Sequence, residues 1–203
     1  MTEERPFMPH TISEEGLALI KRFEGFAAKP YLCPAGKWTV GYGHVLAPQS
    51  VIPAPERGSR VTNTGLTNNP RSPRKTGMTE EEAEILLLQD LAPVESAINR
   101  LVTVPLSQNQ FDALCSLVYN IGVGAFARST LLRLLSSRAH ADRHGTDTEP
   151  SHARELDTGL RRYDEVSDQF LRWIYAGGKP LPGLKNRRRA EKDLFDSKIT
   201  LPP

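Results

Sequence analysis

Apolar positions along this chain follow helical and strand periods, broken by two long polar gaps. Leu17, Ile20 and Phe23 are spaced for one face of a helix. Ser13 suits the N-cap, and Glu14 and Glu15 sit favourably against the helix dipole. These signals predict a first helix over 13–25, preceded by a tail over 1–12. Glu24 follows Ile20 by four residues and Leu17 by seven, so its carboxylate shares their face. Gly25 suits the left-handed residue just past the helix end. The period then changes to two: Trp38, Val40 and Tyr42 fall on one strand face, and Lys37, Thr39, Gly41 and Gly43 on the other. Thr39 is therefore expected to point onto a face cleared of bulk by glycine.

Residues 46–77 carry Pro48, Pro53, Pro55, Pro70 and Pro73, a density that excludes any long regular element. They read as an insertion within a small β lobe over 29–78. Thr79-Glu80-Glu81-Glu82 is a capping box that opens a linking helix over 79–101. Ile85, Leu86, Leu87 and Leu91 mark its first part and Val94, Ile98 and Leu101 its second, with a kink or interruption expected at Pro93. Ser107 to Gln110 forms another capping box, and Phe111, Leu114, Cys115, Val118 and Ile121 follow as one buried stripe closed by Gly122 and Gly124. Ser129 opens a further helix through Leu131, Leu132, Leu134 and Leu135. Residues 136–164 turn polar and read as a second insertion, weakly helical at most near Ala153 to Leu156. Val166, Phe170, Trp173 and Ile174 predict an amphipathic helix ending at Gly177-Gly178, and a last helix runs from about Arg187 to Phe195. The helical lobe as a whole spans 102–198.

At 203 residues the chain is long enough to bury a core without staples. A net charge of +2 gives no bulk electrostatic case for nucleic acid. Two cysteines, Cys33 and Cys115, make no disulfide framework. No apolar run reaches the length of a membrane span, and the first residues lack an apolar signal core, so cytoplasmic accumulation with separate export is expected. His140, Asp142, His144 and His152 suggest metal ligation, but without a helical pattern to align them no metal is expected. Arg187, Arg188 and Arg189, read as the start of a helix, oppose its dipole, so part of the cluster should face an acid and the rest should be solvated. A carboxyl half-buried at a helix end, as Glu24 is read, has its neutral form favoured, which a general acid requires.

Glu24, Cys33 nine residues on and Thr39 six further stand inside Phe-Glu-Gly and Thr-Val-Gly-Tyr-Gly-His. This run resembles the catalytic signature of the phage-type lysozymes, the family of T4-like and lambdoid endolysins. Gln110-Phe111-Asp112-Ala113-Leu114, Tyr119-Asn120-Ile121-Gly122, Phe170-Leu171-Arg172-Trp173 and Pro182-Gly183-Leu184 leading to Arg187-Arg188-Arg189-Ala190-Glu191 carry the same resemblance, in the family's order. One position departs: where most members have Asp, this chain has Cys33.

The resemblance implies an α+β, mainly α, lysozyme-like fold with a small β-sheet lobe and a larger helical lobe. It implies hydrolysis of the β-1,4 bond between N-acetylmuramic acid and N-acetylglucosamine in bacterial peptidoglycan, with no cofactor and a monomeric enzyme. Glu24 is then the general acid, and Cys33 and Thr39 hold or activate the water on the opposite face. Arg187 resembles the arginine that pairs with the catalytic glutamate, His44 and Asp90 resemble a structural pair, and Asn120 and Trp173 fall near the substrate. A thiol of pKa about 8.5 is mostly protonated at neutral pH, so Cys33 is a poorer base than the usual carboxylate. Two alternatives stand beside this reading: a cysteine-dependent amidase or peptidase using Cys33 and His44, and a peptidoglycan-binding effector module with weakened catalysis.

Overall fold

The computed structural model describes residues 9–33, 36–46, 77–141 and 165–197. Two compact units divide the chain. One comprises residues 1–23 with 91–203, and the other residues 24–90. The boundary falls at the end of the first helix and within the second.

In the smaller unit, β1 (Ala27–Leu32), β2 (Trp38–Gly41) and β3 (His44–Val45) form an antiparallel sheet in the order β1-β2-β3. Tyr31 pairs with Thr39 and Leu32 with Trp38, while a register shift between Ala27 and Tyr31 bends the first strand. The expected alternation in β2 stops early. Gly41 adopts φ +63° and ends the strand, so Tyr42 lies in the turn that follows. Both faces of β2 are covered: Thr39 is 4% exposed and Val40 3%, whereas Trp38 is exposed. Thr39 is thus buried and not set on an open face. Gly41 makes room for a helix: a Cβ there would stand 2.9 Å from Ala83 Cβ. Residues 47–76, nearly all of the proline-rich insertion, lie outside the described residues.

The helix α2 (Glu80–Leu101) opens on the expected capping box, with Thr79 Oγ1 accepting from the Glu82 amide at 3.2 Å and Glu82 Oε2 from the Thr79 amide at 3.1 Å. Pro93 does not interrupt it. Proline removes one backbone hydrogen bond, but Leu91, Val94, Ala97 and Ile98, on both sides of it, are buried, and that burial outweighs the local loss.

The larger unit contains α1 (Glu14–Glu24) up to Phe23 and the second part of α2, followed by α3 (Gln108–Ile121), α4 (Val123–Ala127) and α5 (Thr130–Ala141). A 3₁₀ turn (Gln169–Arg172), a hairpin of β4 (Tyr175–Ala176) and β5 (Lys179–Pro180), and α6 (Pro182–Asp196) complete it. The core surrounds α3, whose residues Phe111 to Val118 are all buried. The helix is therefore buried all round, Asp112 and Ser116 included, and not along a single stripe. Gly122, at φ +84°, ends it as expected, but Gly124 lies inside α4. Ser129 caps α5 by accepting from the Leu132 amide at 3.0 Å. That helix runs on to Ala141, into the segment read as a polar insertion, and residues 142–164 lie outside the described residues together with Asp142, His144, His152 and the Ala153 to Leu156 stretch.

Other expectations change. The residues before Ser13 include an anchored segment: the His10 amide donates to Asn99 Oδ1 at 3.0 Å, Ile12 to Glu95 Oε1 at 2.7 Å, and His10 stacks on Phe111. The helix predicted to run to Gly177 stops at the 3₁₀ turn, because Gly177 and Gly178, both at positive φ, form the two-residue loop of the β4–β5 hairpin. The last helix begins at Pro182, five residues before Arg187. Arg187 to Arg189 thus occupy its middle, where the macrodipole argument has no force.

Candidate active site

Three residues of the signature lie in the smaller unit. Glu24 is the last residue of α1 and is half-buried, and Gly25 beyond it is left-handed at φ +71°, as the helix end predicts. Cys33 directly follows β1 and is half-buried; Thr39 stands on β2. One carbonyl ties the latter two together. The Lys37 oxygen accepts from the Cys33 amide at 2.9 Å and from the Thr39 hydroxyl at 3.2 Å. The Gly36 amide closes the turn by donating to the Cys33 carbonyl at 2.8 Å. With its proton engaged by Lys37, Thr39 Oγ1 presents lone pairs to any further partner.

His44 Nδ1 lies 2.9 Å from Asp90 Oδ2 and 3.1 Å from Oδ1, pairing β3 with α2 as expected. At the first turn of α2, the Tyr42 hydroxyl reaches Glu80 Oε2 at 3.4 Å. The Met78 amide donates to the Ala28 carbonyl at 2.8 Å, fastening the approach to α2 onto β1.

The remaining candidates lie in the larger unit. Asn120 is exposed at the last turn of α3. Trp173 is half-buried, packs on the core and lines a pocket of about 430 Å³ with Arg128, Ser129, Gln169 and Arg172. Arg187 is buried, its Nε 3.0 Å from Glu191 Oε1 and its Nη2 donating to the Ser116 carbonyl at 3.1 Å. Its guanidinium carbon stands 5.8 Å from the centre of the Phe23 ring, a cation–π contact beside the start of the signature.

Arg188 corrects the expectation of a solvated face. It is fully buried, with Nη2 donating to Glu191 Oε1 at 3.1 Å and to Asn120 Oδ1 at 3.0 Å. Its Nε forms a close ion contact with Glu191 Oε2 at 2.8 Å, out of line for a hydrogen bond. Ser116 Oγ donates to Glu191 Oε1 at 2.7 Å. Burial pushes the Glu191 carboxyl up from its ordinary value, against the downward pull of Arg188, Arg187 and the Ser116 hydrogen bond. Sequence reading named neither Glu191 nor Ser116 as part of a network. The i,i+3 and i,i+4 spacing of Arg188 and Arg187 to Glu191 was the available signal.

A model of the phage lysozyme family matches residues 21–146 and 144–191 of this chain. The chain belongs to the phage lysozyme family. It is 40% identical over 190 residues to an endolysin of Acyrthosiphon pisum secondary endosymbiont phage 1, covering 92% of this chain and 98% of the relative. Among solved structures, a lysozyme of phage P22 superposes with a TM-score of 0.63 at 36% identity, covering 93% of this chain and 99% of that one. The muramidase domain of SpmX from Asticaccaulis excentricus gives 0.62 at 32% identity, covering 93% and 99%. The enzyme is accordingly a glycoside hydrolase acting on peptidoglycan, with the α+β, mainly helical fold that the resemblance implied. Neither alternative reading, the cysteine-dependent amidase or the binding module, gains comparable support. No helix among the described residues is long and apolar enough to cross a membrane, and among them no group of His, Cys, Asp and Glu is arranged to hold a metal ion.

Proposed function

We propose that this phage lysozyme cleaves the β-1,4 bond between N-acetylmuramic acid and N-acetylglucosamine, with Glu24 as general acid and Cys33 and Thr39 on the water side. The observation that carries this reading is the Lys37 carbonyl, which holds the Cys33 backbone and the Thr39 hydroxyl at one turn of the sheet. Thr39, with its own proton engaged, accepts a hydrogen bond from the attacking water and orients it. Cys33 borders the same water, and its weak basicity leaves Glu24 as the dominant group. Attack from the face opposite the departing oxygen inverts the anomeric carbon. His44 and Asp90 brace the sheet against α2, Arg187 supports the acid, and Asn120 and Trp173 contact the sugar strand. The enzyme works as a monomer on the cell wall after release from the cytoplasm where it is made, by a route supplied by other components.

Replacing Glu24 by Gln tests the assignment. An amide cannot give the leaving oxygen a proton, so Glu24→Gln should fall below a hundredth of wild-type turnover, in line with the roughly 10²–10⁴-fold worth of general acid catalysis. Muropeptides released by the wild type should carry new reducing ends and no new amino groups. A folded Glu24→Gln enzyme retaining more than about a tenth of the rate removes Glu24 from the role.

A further inference from the structure

Residues 169–190 carry six cations and no acid. Arg187 and Arg188 are buried and engaged by Glu191. Arg172, Lys179, Lys185 and Arg189 are exposed, and among the described residues none of these four forms an ion pair. Lys185 is the fourth residue of α6, where the helix dipole favours an acid, and the first turn holds none. Local stability therefore does not explain its charge.

The hairpin before α6 is open in the same way. Residues 175–183 are exposed without a break, so both faces of the β4–β5 ribbon meet solvent. Tyr175 pairs with Pro180 and Ala176 with Lys179, which sets Tyr175 and Lys179 on opposite faces beside the Gly177-Gly178 turn. Tyr175 is 61% exposed and Leu181 42%. Leu181 is the N-cap of α6, so Leu181, Lys185 and Arg189, four residues apart, run along one exposed stripe of the helix. Single exposed apolar side chains are ordinary. Here they are interleaved, on one segment, with cations that meet no acid among the described residues.

We propose that the β4–β5 hairpin and the exposed stripe of α6 dock on an anionic lipid bilayer. Tyr175 and Leu181 enter the boundary between headgroups and acyl chains, and Lys179, Lys185 and Arg189 lie against the headgroup phosphates. Cations without a local acid call for an anionic partner, and each contributes roughly fivefold in affinity at an anionic membrane surface. The apolar members decide which partner. A glycan strand could stack on Tyr175 and pair with the cations, but it leaves Leu181 in water; a bilayer takes both. Tyrosine suits the boundary because its ring is buried while its hydroxyl, which bonds nothing among the described residues, stays with the headgroups. Docking of this kind involves no membrane-spanning helix.

Flotation of the full chain with phosphatidylcholine vesicles, with and without phosphatidylglycerol, tests this. The wild type should float with the anionic vesicles, stay behind with the neutral ones, and be released as salt is raised. Lys185→Glu reverses one charge and should cut binding about tenfold or more. It should nevertheless unfold no lower than the wild type, because an acid suits the start of a helix. Leu181→Ser keeps a good N-cap and should weaken binding severalfold without changing its salt dependence. Both variants should release reducing ends from soluble glycan strands at the wild-type rate. A wild type that ignores anionic vesicles overturns the proposal, as does a Lys185→Glu protein that floats undiminished. Should Lys185→Glu not fold, Lys179→Glu on the exposed ribbon makes the same test. If the substitution lowers affinity for purified peptidoglycan sacculi and not for vesicles, the surface serves the glycan and the bilayer assignment is wrong.

Discussion

Gly16 of α1 lies directly against Asp112 of α3, so close that a Cβ on the glycine would stand 2.7 Å from both Cβ and Cγ of the aspartate. The closeness has a use. Asp112 is fully buried, and its carboxylate accepts from the Ser13 amide at 3.0 Å, from the Ser13 hydroxyl and from Gln108 Nε2 at 2.9 Å. A carboxylate from one helix thus completes the N-terminal cap of another, while the Ser13 hydroxyl also accepts from the Gly16 amide at 3.2 Å.

Gly16→Ala should therefore destabilise, although alanine is the better helix former. Propensity favours alanine by up to about 1 kcal/mol. The overpacked methyl costs roughly 1–3 kcal/mol, and displacing Asp112 weakens charge-assisted bonds worth about 1.5–3 kcal/mol each. A net loss of about 2 kcal/mol is expected, read as a lowered denaturant midpoint at unchanged slope. An equal or raised midpoint would mean that α1 and α3 separate without penalty.

The two cysteines should behave differently. Cys115 is fully buried in the α3 core, and desolvation, with smaller effects from Glu95 and Asp112, pushes its thiol far above the ordinary 9.0. Cys33 is half-buried at the end of β1. A thiol reagent should modify Cys33 alone in the folded enzyme and both residues after unfolding. The alkaline consequence follows by linkage. The folded-state pKa of Cys115 is raised, so its stabilising contribution is complete below the unfolded value near 9.0 and is lost as pH rises above it. The loss is about 1.4 kcal/mol per pH unit. Subtracting the stability curve of Cys115→Ala from that of the wild type should isolate this slope; parallel curves above pH 9.0 contradict it.

What was legible in the sequence follows from which forces are local. Capping boxes at Thr79 and Ser107 and the helix end at Gly25 were readable because a few adjacent residues determine them. Pro93 misled because local backbone cost was set against burial that no local pattern displays. Gly177-Gly178 looked like the end of a helix and is a hairpin turn, since its strands are too short to show alternation. At the site, the types and spacing of Glu24, Cys33 and Thr39 stood out from the chain. The burial of Arg188 did not: a run of arginines reads as a solvated face unless the acid that neutralises it is recognised. Likewise the burial of Thr39 depended on what covers both sides of β2, which alternation alone cannot supply.

Cys33 is where the mechanism is open to the sharpest test. Its backbone amide donates to the Lys37 carbonyl, so substitutions at this position leave that bond in place and change the side chain that the proposed mechanism sets beside the attacking water. If the thiol were a nucleophile, neither Cys33→Ser nor Cys33→Asp would sustain turnover, because neither provides a thiolate. As a water-side group in an inverting glycosidase it has no covalent duty. Cys33→Asp then supplies a stronger base at neutral pH and the residue most family members resemble, and activity should hold or rise. Cys33→Ser should lose only part of the rate, since Thr39 still accepts from the water with its own proton engaged by Lys37. Alkylation inhibits under either mechanism by filling the space, so the substitution pair is the informative measurement. Turnover by reducing-end release, with folding checked by thermal unfolding, decides between them. A folded but inactive Cys33→Asp enzyme would remove Cys33 from the water side.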